Sequence, residues 1–108
     1  KPTGFIITVY ARADVLAPVI YNAITNEAFR IKGTLQEGHT LTIDTRAGGK
    51  RLTITGPSGA ITNALNRKQR GSKWLELRPG DNYISYAAET GADSMLVTLR
   101  HNNLFVGV

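Results

Sequence analysis

The residues that could carry out chemistry are few and scattered along the chain. The two histidines, His39 and His101, lack a second histidine or a carboxylate at the helical spacing of a metalloprotease motif. The chain has no cysteine, which excludes a disulfide framework and a cysteine-ligated metal site. A metal site that used both histidines would have to be assembled by the fold. The sequence therefore predicts no metal and no cofactor.

Acidic and hydroxyl side chains give no catalytic pattern either. The eight carboxylates lie mostly in or beside predicted turns, where acidic residues usually cap or solvate the chain. Glycoside hydrolysis needs two carboxylates that face each other, roughly 5–9.5 Å apart, a distance that the sequence does not test. No serine lies in a Gly-x-Ser-x-Gly motif, and the Gly-Gly-Lys segment at 48–50 lacks the spacing of a phosphate-binding loop. We therefore predict that the chain is not an enzyme.

Basic residues are concentrated shortly before the only tryptophan. Arg67, Lys68, Arg70 and Lys73 form the densest basic cluster, and Trp74 follows it, in a chain whose formal net charge is +5. A nucleic-acid module would interleave several aromatic side chains with such a cluster for base stacking, so we predict no nucleic-acid partner. The alternatives are a solvated loop and a surface for a charged protein partner. Trp74 is interpreted as a core residue, an interface anchor or a sugar-stacking platform, because the strand predicted around it has apolar side chains on both faces.

Short strands must position these residues, because apolar and polar residues alternate through much of the chain. Residues 40–45 and 51–55 alternate with period two and are joined by a Gly-rich turn, which predicts a β-hairpin. A second hairpin turn is predicted at 24–27. The other predicted strands are 5–11, 18–22, 28–31, 60–65, 73–77, 83–88, 95–100 and 104–106. An alternative for residues 61–68 is a short helix. About ten short antiparallel strands favour an all-β sandwich or barrel.

The length of the chain bounds its organisation. A chain of 108 residues predicts a single domain over residues 1–108. Its hydrophobic fraction of 42% and charged fraction of 19% are ordinary for a globular protein. No run approaches the ~18–20 apolar residues of a membrane span, so no membrane partner is predicted. The first four residues, Lys-Pro-Thr-Gly, include neither an initiator methionine nor the apolar region of a signal peptide, and we expect the chain to be part of a longer protein.

The sharpest local signature is the turn Arg-Pro-Gly-Asp-Asn at 78–82. Pro79 fixes the φ angle that position i+1 of a β-turn needs, and Gly80 can take the positive φ of position i+2. Asn82 can hydrogen-bond local backbone as the next strand begins. We therefore predict a structural turn that sets the register of a hairpin between 75–77 and 84–86, because a slip of one residue would reverse the two faces of the strand.

Four segments, taken in order, resemble one known family. They are the Asn/Thr turn at 22–27, the Gly-containing segment at 35–45 with its Ile-Asp-Thr end, the Leu-x-Pro-Gly-x-Asn-x-Ile region within 72–86, and the closing Phe-Val-Gly-Val at 105–108. Together they are similar to the C-terminal domain of siphophage distal tail proteins, the Dit or siphovirus-type tail component family. The resemblance covers most of the chain.

The resemblance implies a galectin-like antiparallel β-sandwich at the C-terminal end of a longer phage or prophage tail protein. It implies a virion structural protein at the tail tip, assembled in the bacterial host cytoplasm, that docks receptor-binding or other baseplate proteins. The full-length protein is expected to form a homo-oligomeric ring. The alternative is a carbohydrate-binding module for host-surface attachment, since galectin-like sandwiches also hold sugar sites. Trp74, His101, Asn102 and Asn103 would be its ingredients.

Overall fold

The strands of this protein follow the alternation of apolar and polar residues along the chain. The computed structural model describes residues 4–77 and 82–100, which form strands and two short 3₁₀ turns, Leu65–Arg67 and Ala92–Ser94. The strands are β1 (Ile6–Ala11), β2 (Val15–Leu16), β3 (Val19–Asn22), β4 (Glu27–Arg30), β5 (Thr34–Leu35), β6 (Thr40–Asp44), β7 (Arg51–Thr55), β8 (Ile61–Asn63), β9 (Ile84–Ala87) and β10 (Met95–Arg100).

Five of these strands form the larger sheet, in the order β10-β1-β6-β7-β8, and all neighbouring strands are antiparallel. Along β1, Ile7 and Val9 are buried, whereas Thr8 between them lies on the outer face. The hairpin predicted from residues 40–55 is confirmed as β6 and β7, with Thr40 opposite Thr55. Its register puts the apolar residues of both strands on the core side.

A three-stranded antiparallel sheet, ordered β4-β3-β9, supplies the other side of the core, and β2 pairs with β5 in a small third sheet. Ile20 of β3 and Phe29 of β4 are each 1% exposed and share one buried cluster with Leu41 and Ile43 of the larger sheet. The all-β, antiparallel, sandwich-like fold class is confirmed. The galectin-like topology that the resemblance implies stays a prediction.

The strand predicted at residues 73–77 is wrong. In the part of the chain that the structure describes, this segment belongs to no strand. The Lys73 amide donates to the Ala28 carbonyl oxygen at 2.9 Å, and the Trp74 ring packs on the Phe29 ring. The Lys73 hydrogen bond and side-chain packing together therefore position this segment without a strand ladder, in keeping with its apolar residues on both faces.

The partner of β9 also differs from the prediction. The structure pairs β9 with β3, with Asn22 opposite Ile84, whereas the sequence predicted a hairpin between residues 75–77 and 84–86. Pro79 and Gly80 of the predicted structural turn lie outside the described residues, as does the strand predicted at 104–106. The alternative helix at 61–68 does not form, because β8 pairs with β7 and leads into a 3₁₀ turn.

Candidate partner-binding surface

The basic cluster lies on a segment that follows the outer edge of β4. We call residues 67–73 the edge segment. At its start, the Lys32 amide donates to the Arg67 carbonyl oxygen at 2.8 Å, and the Gln69 amide donates to the Arg30 carbonyl oxygen at 2.9 Å. A segment bonded in this way occupies groups that would otherwise be an open sheet edge. The basic cluster is therefore held by the sheet and is not a freely solvated loop.

A tight turn interrupts the edge segment at its middle. The Ser72 amide donates to the Gln69 carbonyl oxygen at 3.0 Å, and Gly71 between them has φ +87°, which an L side chain tolerates poorly. After the turn the segment rejoins β4, because the Ser72 hydroxyl accepts from the Arg30 amide at 2.8 Å and donates to the Arg30 carbonyl oxygen at 3.2 Å. Arg70 therefore lies in an exposed turn between two attachments of the edge segment to β4.

Three of the five residues predicted as a partner surface attach the edge segment to the domain. Arg67 Nη1 donates to the Thr34 carbonyl oxygen at 2.7 Å. The centroids of the Trp74 and Phe29 rings lie 4.9 Å apart, and the ring planes are inclined at 55°. Aromatic pairs favour such tilted arrangements. Lys68 Nζ lies 6.0 Å from the centre of the Trp74 ring, within reach of a cation–π contact. Trp74 is half-buried against the core, which favours the interpretation of Trp74 as a core residue.

The other two predicted residues, Arg70 and Lys73, are exposed and border a depression of about 330 Å³. Arg30 of β4 is also exposed and lines the same depression from the other side. Glu27 contributes a carboxylate there, and its Oε1 accepts from the Thr25 hydroxyl at 3.3 Å. Sequence reasoning missed Arg30, because only the hydrogen bonds between β4 and the edge segment place it beside Arg70 and Lys73.

A second depression continues the first along the same sheet face. It has a volume of about 470 Å³ and shares Arg30 and Gln69 with the first. Val19 and Ala87 lie in its lining. These two residues are paired across β3 and β9, so small side chains leave room over the sheet beside Arg30.

Asn82, the described residue of the predicted structural turn, contacts the turn between β3 and β4. Asn22 is 1% exposed, and its Nδ2 donates to Asn82 Oδ1 at 3.5 Å. Asn22 Oδ1 accepts from the amides of Ile24 at 2.9 Å and Thr25 at 3.4 Å, so one buried side chain satisfies the turn backbone. The β3–β4 pairing confirms a hairpin here, with its turn at 23–26, one residue earlier than predicted, and Asn22 ties this turn to Asn82, just before β9.

We expect the variant Asn22→Ala to lose about 1–3 kcal/mol of unfolding free energy, because two turn amides lose their acceptor in a buried position. Urea unfolding of the variant and the wild type measures this difference. Asn66→Ala, at an exposed asparagine, is the matched control and should stay within about 0.5 kcal/mol of the wild type. Equal stabilities of the two variants would contradict the role assigned to Asn22.

The larger sheet carries an ion pair beside its β6–β7 hairpin. Asp44 Oδ2 lies 2.8 Å from Arg46 Nη2, and Asp44 Oδ1 accepts from Arg46 Nε at 2.9 Å. Side-chain hydrogen bonds from Arg46 hold the pKa of the Asp44 carboxyl below its ordinary value of 3.8, against the opposing effect of burial. Neither residue lines the depressions described above, so the pair is interpreted as structural.

The lowered pKa of Asp44 makes the contribution of the Asp44–Arg46 pair to the stability of the fold depend on pH. A carboxylate whose pKa is lower in the folded state stabilises the fold above its unfolded pKa, and this contribution is lost as the pH falls through the folded value. Asp44→Asn should therefore cost about 1 kcal/mol near pH 7. The difference in unfolding free energy between the variant and the wild type should decrease progressively below pH 3.8. Urea unfolding at several pH values measures this difference, and a difference that does not narrow as the pH falls below 3.8 would contradict the assignment.

Residues 4–77 and 82–100 contain no group of three or more His, Cys, Asp and Glu residues that could hold a metal ion. Nor do these ranges contain a helix that is long and apolar enough to cross a membrane. His39 follows the turn at Gly38, and its Nδ1 lies 3.2 Å from the Glu37 carbonyl oxygen. His101 lies outside the described residues.

Comparison with known protein families gives a match over nearly the whole chain. Residues 1–105 match the family described as siphovirus-type tail component, C-terminal domain. No curated protein and no solved structure matches the chain. The matched range contains three of the four segments on which the sequence resemblance rests, at 22–27, 35–45 and 72–86, and it ends at the first residue of the fourth, at 105–108.

Proposed function

We propose, because this chain belongs to the siphovirus-type tail component family, that it is a structural protein of the tail tip that docks other tail or baseplate proteins. The family places it in the virion tail as a structural component. The tip position, the docking role and the absence of catalysis belong to the proposal, as does the homo-oligomeric ring of a longer full-length protein.

The observation that carries the proposal is the family match over residues 1–105. The fold supports it, because two antiparallel layers bury one core and leave the edge segment and its basic side chains outside. The carbohydrate-binding alternative has less support. Trp74, its aromatic platform, is half-buried against Phe29, whereas a sugar platform needs an open ring face.

Immunogold electron microscopy of intact virions tests the position. Antibodies raised against this chain should label the distal end of the tail, and label on the head or along the tail shaft would overturn the tip assignment. Surface plasmon resonance then tests docking, with the chain immobilised and each purified tail protein of the same phage passed over it. We expect at least one of them to bind, and binding to glycans with none to tail proteins would favour the alternative.

A further inference from the structure

We propose that the depression between β4 and the edge segment binds an acidic, extended segment of another tail protein. This inference rests on the proposed docking function and names the surface and the chemistry of the partner. It concerns the depression of about 330 Å³ bordered by Arg30, Arg70 and Lys73, together with the adjoining depression that shares Arg30.

Positive charge is concentrated around this surface. Six of the thirteen Lys and Arg residues lie at positions 30–32 or 67–73, and no Asp or Glu lies between 67 and 75. Arg67 and Lys68 contact Thr34 and Trp74, but Arg30, Arg70 and Lys73 are exposed. Glu27 is the one carboxylate that lines the first depression beside these three cations, and Glu89 lines the adjoining depression, so the excess of positive charge lies at the first. An acidic partner is the complement of this surface, since charge complementarity steers association and selects partners.

The frame that carries these cations is fixed by hydrogen bonds. The Lys73 amide donates to the Ala28 carbonyl oxygen, and the Ser72 hydroxyl bonds both backbone groups of Arg30. Arg70 sits at the tip of the turn that Gly71 closes. Because the backbones of these residues are already ordered, binding would order only the side chains, which keeps its entropic cost low.

The shape of the surface favours an extended peptide over a nucleic acid. The two depressions share Arg30 and Gln69 and so form a continuous path across the sheet. Among the described residues, none that lines either depression is aromatic, whereas single-stranded nucleic acids are held largely by base stacking on aromatic rings. An extended chain with carboxylate side chains needs no such platform.

A deca-glutamate peptide is the probe for this surface. Isothermal titration calorimetry at low salt should show that the peptide binds the wild-type chain, and this binding should weaken as the salt concentration rises. The double variant R70E/K73E should bind at least about tenfold more weakly. The matched control K50E/R100E changes the formal net charge by the same amount, at exposed residues just before β7 and at the end of β10, and should stay within about threefold of the wild type.

NMR shift mapping on the unmodified chain locates the site without any substitution. The peptide should shift the amide signals of residues 27–30 and 69–73 most strongly. Absence of binding, equal losses in both double variants, or shifts centred elsewhere would each overturn the proposal. Tighter binding of a thymidine decamer, lost in R70E/K73E, would assign the surface to nucleic acid and overturn it as well.

The outcome is separable from that of the proposed function. A purified tail protein that binds R70E/K73E as tightly as the wild type would remove this surface from docking and leave the docking role in place. Virions whose tails carry no label for this chain would remove the proposed function, whatever the peptide result.

Discussion

Replacing Gly91 with alanine should lower the free energy of unfolding by about 2–4 kcal/mol. Gly91 has φ +86° and precedes the 3₁₀ turn that leads into β10. A Cβ atom there would lie 2.5 Å from the Asp14 carbonyl oxygen and 3.2 Å from Val15 Cα. Both contacts are with backbone, so a side-chain rotation cannot relieve them. The approach of the Gly91 turn to the start of β2 must therefore open in the variant.

Gly48→Ala is the matched control for this prediction. Gly48 has φ +78°, but no atom lies within 4 Å of the Cβ position in the described part of the chain. Alanine there should cost about 1 kcal/mol through backbone strain alone. The difference between the two variants in urea unfolding measures the collision with residues 14–15. Similar losses at both positions would show that only φ matters and that the close approach contributes nothing.

Local patterns predicted local structure well, and the β6–β7 hairpin shows why. Residues 40–45 and 51–55 both alternate, and the Gly-rich turn between them brings their edges together. The information needed for this pairing lies within one short stretch of chain. The two-residue strands β2 and β5 escaped prediction because two residues cannot show an alternation.

Pairings between distant segments were not predictable in the same way. β9 was predicted as a strand, but its partner β3 lies some sixty residues earlier in the chain. The turn chemistry at 78–82 favours a neighbour in sequence, and nothing in the sequence specifies the distant strand. The Asn22–Asn82 contact follows from that pairing. It was therefore not predictable either, although both residues lie in predicted turns.

Two of the three exposed cations of the candidate surface were predicted from the sequence. The run of basic residues identified Arg70 and Lys73 directly. It could not separate them from Arg67, whose guanidinium is bonded to the Thr34 carbonyl, because charge alone does not show which side chain turns inward. Arg30 needed the hydrogen bonds from Ser72 to bring it alongside. Composition predicts a charged face, and the fold determines which of its basic side chains remain exposed to a partner.

Phe29→Ala should lower the free energy of unfolding by about 3–5 kcal/mol, because it removes a fully buried aromatic ring and leaves a cavity. Phe29 belongs to the core cluster and is also the ring on which Trp74 packs. The loss should therefore extend from the core to the edge segment, which is bonded to the same strand on either side of Phe29. Urea unfolding measures the global effect, and Trp74 fluorescence should shift to the red as the indole becomes more hydrated.

Hydrogen exchange shows whether Phe29 supports the candidate surface as well as the core. The amides of Gln69 and Lys73, which donate to β4 carbonyl groups, should lose protection in Phe29→Ala by more than the change in global stability explains. Ile61→Ala is the matched control at a side chain that is 68% exposed, and it should change neither measurement by more than about 0.5 kcal/mol. If both amides exchange only through global unfolding in Phe29→Ala, the edge segment is held by its backbone bonds alone, and the Phe29–Trp74 contact does not position Arg70 and Lys73.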